Sequence, residues 1–142
     1  MPSPATSENA NEETDLDRSA SAYQVTFGVT EQVGPLGALQ FDVEFLGSSG
    51  GWRGAGGNVD CSTEVPGAIA AFNDTGAGGL HAGIIVQAGI ETPTPVATCV
   101  FKSRQAVTAD LFRVRVTDAA DAAVNPIDPV PPVEVIDLRP AG

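Results

Sequence analysis

Leu36-Gly37-Ala38-Leu39-Gln40-Phe41-Asp42-Val43-Glu44-Phe45 is the stretch whose reading decides the fold. Leu39, Phe41, Val43 and Phe45 alternate with Gln40, Asp42 and Glu44. A period of two sends successive side chains to opposite faces of an extended chain, so this is a half-buried β-strand. The same period recurs on both sides. Tyr23, Val25, Phe27 and Val29 alternate with Gln24, Thr26 and Gly28, and Phe112, Val114 and Val116 alternate with Arg113, Arg115 and Thr117. Residues 80–88 are apolar nearly throughout, as a central strand would be, and shorter strands are expected at 59–61, 68–73, 96–102 and 133–138.

Turn chemistry separates these runs. Gly34-Pro35, the glycine-rich 47–58, Asn73-Asp74-Thr75-Gly76 and Thr92-Pro93-Thr94-Pro95 all read as connections. Pro126, Pro129, Pro131 and Pro132 forbid a central strand at 125–132, which is expected to cross the surface or lie along an edge. Only 107–111 and 118–124 suit a helical turn or two. Eight or nine strands at such spacing predict an all-β domain of two packed sheets or a barrel.

The 142 residues suffice for one domain with a core, and 42% of them are hydrophobic, yet no apolar run is long enough to span a membrane. Residues 1–22 form a separate polar, acidic segment that cannot offset its own ordering entropy, leaving 23–142 as the sandwich domain. The segment lacks the apolar centre of a signal peptide and is expected to be a flexible tether, the stump of a trimmed leader, so the missing leader does not argue for the cytoplasm. Eighteen acidic against seven basic residues give a formal charge of −11, which repels polyanions and disfavours nucleic acid as a partner.

Three segments resemble cohesin domains in order and spacing. They are the quoted strand 36–45, the run Val96-Ala97-Thr98-Cys99-Val100-Phe101-Lys102 (with Cys99 where a leucine usually sits), and 112–118 followed by an Asp- and Ala-rich loop and the strand at 133–138. The resemblance covers about residues 23 to 138. It implies a nine-stranded jelly-roll β-sandwich, related to bacterial carbohydrate-binding modules, that binds a dockerin-like protein through one sheet face.

Residues with chemical potential are few. His81 is the only histidine, and it lies mid-strand on the face opposite Leu80, Ala82, Ile84 and Val86. Gly47-Ser48-Ser49-Gly50-Gly51 matches the nucleophile-elbow pattern but precedes no helix, so the match is formal only and no catalytic residue is expected. Cys61 and Cys99 stand 38 positions apart and share the inward parity of their strands. A disulfide in an oxidising compartment fits them, with two buried thiols as the alternative. Trp52, in the glycine-rich loop, either stacks on a sugar ring or folds back as a lid, and its bulk favours the lid. Asn73, Asp74, Asp118, Asp121, Asn125 and Asp128 offer oxygen ligands of the kind calcium takes, without a recognisable calcium loop, and no other cofactor is expected.

The leading expectation is therefore a non-enzymatic, extracellular or cell-surface module that binds another protein. Two alternatives stand beside it: a self-assembling fibre or surface subunit that uses strand addition, and a carbohydrate-binding module with polysaccharide as ligand. The arrangement of two strands bears on self-assembly. If 40–44 and 113–117 are neighbours, their charges form cross-strand pairs on a solvated face. If they lie in different sheets, one face is acidic and the other basic, which suits head-to-tail filaments.

Overall fold

The computed structural model describes residues 20–54 and 56–141, and nine strands form among them. They are β1 (Ser21–Val29), β2 (Leu36–Phe45), β3 (Gly51–Trp52), β4 (Cys61–Thr63), β5 (Ile69–Gly76), β6 (Gly79–Ile90), β7 (Thr94–Ser103), β8 (Phe112–Asp121) and β9 (Val133–Pro140). One antiparallel sheet has the order β3-β7-β1-β9, with β4 also paired to β7, and the other has the order β5-β6-β2-β8. The chain is an all-β, two-sheet sandwich, as the alternating pattern predicts.

The core follows from that alternation. Val25, Phe27 and Val29 of β1 and Cys99 and Phe101 of β7 face Leu39, Phe41 and Val43 of β2 and Leu80, Ala82 and Ile84 of β6, and all are buried. Phe101 centres an aromatic cluster, with ring centroids 4.6 Å from Phe45, 4.8 Å from Trp52 and 5.0 Å from Phe112. Burial of each such side chain contributes about 1.5–3 kcal/mol. The two cysteines are disulfide-bonded and stand directly opposite each other in the β4–β7 ladder, so the covalent bond pins a strand of only three residues.

Several local expectations are corrected. Residues 118–124 were expected to favour a helical turn, but Asp118–Asp121 complete β8, because Ala119 is buried and the segment pairs with Leu36–Gln40 of β2. Tertiary pairing outweighs the alanines' helix preference. Asn73-Asp74-Thr75-Gly76 belongs to β5, and the connection is the two-residue turn Ala77-Gly78, both residues of which have positive φ. Thr94 and Pro95 open β7, where the proline falls beside a bulge in β1. The glycine-rich loop contains β3, and the strand expected at 59–61 runs instead from Cys61 to Thr63. At 107–111 there is one 3-10 turn, Ala109–Leu111. The segment 125–132 forms no strand, but it is more than a surface crossing: Pro126 bridges to Ala120, Ile127 packs against the core and Pro131 is fully buried.

The first strand starts two residues before the boundary at Tyr23, since Ser21 and Ala22 pair with Ser103 and Lys102. The flexible-tether expectation for 1–19 falls outside the described residues. Among the described residues, no helix is long and apolar enough to cross a membrane.

Candidate functional site

The outer face of the β5-β6-β2-β8 sheet collects most of the exposed side chains with a definable arrangement. Its strand register sets four rows across the sheet. The first is Ile69, Ile85, Ala38 and Ala120; the second is Ala71, Gly83, Gln40 and Asp118. The third is Asn73, His81, Asp42 and Arg115, and the fourth brings Glu44 beside Arg113. The face is thus apolar at one end and charged at the other.

At the charged end the ionic groups partner one another. His81 Nδ1 lies 2.5 Å from Asp42 Oδ1, Arg115 Nη2 lies 3.9 Å from Asp42 Oδ2, and Arg113 Nη1 donates to Glu44 Oε1 at 3.5 Å. Strands 40–44 and 113–117 are neighbours in one sheet, so the separation into an acidic and a basic face does not occur. Exposed pairs of this kind contribute about 0–1 kcal/mol each. Beside them, Asp42, Glu44, Asn73, Thr75 and His81 rim an open hollow floored by Gly79.

The apolar end has a different character. Ile69 is 68% exposed and Ile85 52% exposed, among the most exposed large apolar side chains of the sheets. Together with Ala38, Ala71, Gln40 and Asp118 they bound a groove of about 230 Å³ whose floor is Gly83. A Cβ built on Gly83 meets nothing nearer than Gln40 Cγ at 3.9 Å. Neither crowding nor backbone conformation requires glycine there, and its missing side chain is what opens the groove.

The remaining predicted site residues lie elsewhere. Trp52 is 4% exposed, donates its Nε1–H to the Gly78 carbonyl at 2.7 Å, and packs on Phe27, Phe101 and Phe112. It closes the tip of the sandwich and presents no surface for a sugar ring. The calcium candidates are not brought together. Asn73 and Asp74 are near the β5–β6 turn, whereas Asp121 pairs with Leu36 at the far end of β2. Six residues of strand, about 20 Å, separate that position from the Asn73 row. Asp118 faces the groove at the sheet surface, and Asn125 and Asp128 follow β8 in the irregular crossing. The Asp121 carboxylate accepts hydrogen bonds from the Ala123 and Asn125 backbone N–H groups at 2.9 Å each and from Asn125 Nδ2 at 3.4 Å. The Asn125 N–H foremost holds its pKa below the usual carboxylate value. Among the described residues no three acidic, histidine or cysteine groups cluster as metal ligands.

The formal nucleophile motif is likewise spread apart in function. The motif's serine is Ser49, whose carbonyl accepts the Ser103 hydroxyl at 2.5 Å, while its neighbour Ser48 donates to Gln105 Oε1 and the histidine engages Asp42 on the other sheet. Sequence reasoning marked Gln40, Asp42 and Glu44 as outward but missed Ile69, Gly83 and Ile85. Only the parity of Ile85 within its apolar run carried a signal for them, because Leu80, Ala82, Ile84 and Val86 point inward. No family model, curated protein or solved structure matches the chain.

Proposed function

We propose that this protein is a non-enzymatic, extracellular protein-binding module, similar to a cohesin, that docks its partner on the outer face of the β5-β6-β2-β8 sheet. The observation that carries the reading is the Gly83 groove between Ile69 and Ile85. An apolar depression flanked by two exposed isoleucines on a sheet face supports an interaction surface. Its occupant is an apolar side chain carried by a segment that also bears a basic group. Asp118 borders the groove, and a chain of formal charge −11 attracts a cationic segment over distances set by the ionic strength. The disulfide supports an oxidising, extracellular setting.

The test is capture of the partner from the extracellular proteins of the source cell, comparing wild type with Gly83→Leu and Ile85→Asp. Gly83→Leu fills the groove without crowding the backbone, so it is expected to fold and to retain at least tenfold less partner. Capture that is unchanged by both substitutions, or retention on insoluble polysaccharide in place of protein capture, would overturn the reading.

A further inference from the structure

We infer that the segment docking on the outer face of the β5-β6-β2-β8 sheet carries an arginine whose guanidinium is held by Asp118 and Gln40. The inference rests on the docking reading above and names the chemistry of what docks. Gln40 and Asp118 stand directly opposite each other in the β2–β8 ladder, and both border the Gly83 groove. Side chains so placed leave the sheet about 5 Å apart, which sets a carboxylate beside an amide at the groove's rim.

The other carboxylates on strands are all engaged. Asp42 meets His81 and Arg115, Glu44 meets Arg113, and Asp137 meets Arg139. Asp74 accepts the Gly76 N–H, Asp121 accepts the Ala123 and Asn125 N–H groups, and Glu134 accepts the Thr30 hydroxyl. Asp118 alone has no hydrogen-bond or ion-pair partner among the described residues. The Gln40 amide has none either, since the hydroxyl of Thr117 reaches only its backbone carbonyl. The arginines on the same strand as Asp118 turn to Glu44 and Asp42 and leave it unmatched.

A segment that covers the groove takes Asp118 out of water, and a carboxylate desolvated without a partner opposes docking. The occupant therefore brings a cation with it. Gly83 and Asp118 lie two strands apart in one row, about 10 Å, so an apolar side chain over Gly83 and a cation at Asp118 suit neighbouring positions of one segment. Arginine answers this site better than lysine. Its planar fork donates to two adjacent acceptors at once, and beside the apolar Ala38 and Ile85 it gives up water more readily than an ammonium. The formal charge of −11 draws such a segment in and turns acidic ones away.

Heteronuclear NMR titration of the full chain with acetyl-leucyl-arginine amide tests the inference, with the lysine and norleucine counterparts as comparison peptides. Shifts are expected to gather at Gly83, Gln40 and Asp118. The arginine peptide is expected to bind at least threefold more tightly than the lysine peptide and at least tenfold more tightly than the norleucine one. Rising salt should weaken the arginine peptide and spare the norleucine peptide. Asp118→Asn keeps the side chain's shape at an exposed position and is expected to bring the arginine peptide down to the norleucine level. An arginine peptide no tighter than the lysine one, or indifferent to Asp118→Asn, overturns the inference. Partner capture lost in Gly83→Leu but kept in Asp118→Asn removes the arginine and leaves the docking face standing. A selective arginine peptide without any captured partner removes the docking reading and leaves this site standing.

Discussion

Gly78 and Gly83 are five positions apart and do opposite things. Gly78 has φ +83° in the two-residue turn between β5 and β6, the geometry that type I′ hairpins demand, and its carbonyl receives the Trp52 indole. A Cβ on it would lie 2.5 Å from Phe45 Cβ. Gly83 has open space and an ordinary strand conformation. Gly78→Ala is therefore expected to destabilise the fold by about 1–3 kcal/mol, through backbone strain and overpacking together. Gly83→Ala should stay within about 1 kcal/mol of wild type, with alanine the better strand residue in entropy. Urea midpoints of the two variants check this; equal losses would mean that Gly83 also serves the fold.

Among the elements, β4 depends most on covalent chemistry. Its three residues gain little from ladder hydrogen bonds alone, while the Cys61–Cys99 bond spans 38 positions of chain. Loop-closure entropy for that span corresponds to about 4 kcal/mol of stabilisation. Reduction, or the double replacement Cys61→Ala/Cys99→Ala, is expected to lower unfolding stability by up to that amount in denaturant titration. Thiol titration of the unfolded, unreduced protein should find none. The turn after β8 responds to acid instead. Asp121 is stabilised as the carboxylate, so its contribution is present above its unfolded pKa and is lost as pH falls through the lower folded value. Protection of the Ala123 and Asn125 amides, relative to their intrinsic exchange at each pH, is expected to fall only below the ordinary carboxylate range, and Asp121→Asn should remove that fall.

For the whole molecule, charge imbalance is the dominant electrostatic fact. Four of the arginines already have carboxylate partners: Arg53 with Asp60, Arg113 with Glu44, Arg115 with Asp42 and Arg139 with Asp137. The acidic excess of eleven charges is left to repel itself in the compact state. Adding salt weakens both the pairs and the repulsion, but the exposed pairs are individually small. The thermal midpoint is expected to rise as sodium chloride is raised from about 0.01 M to 1 M, where the screening length falls from about 30 to 3 Å. A fall would mean that the ion pairs outweigh the repulsion.

The side-chain period is a local property, and from it alone the strands at 23–29, 39–45 and 112–117 and the two-sided character of the fold are legible. Cys61 and Cys99 could be read as inward, and Trp52 as more useful to the core than to solvent, because parity and bulk do not depend on distant partners. What the period cannot carry is adjacency. That Asp42 meets both His81 and Arg115, that the alanine-rich 118–121 extends as strand, and that Ile69, Gly83 and Ile85 gather into one groove all depend on register between segments dozens of residues apart. Each of those pairings was selected by burying Phe41, Leu80 and Ala119 on the opposite side of the same strands. The core, packed between two sheets, decided which outward residues became neighbours.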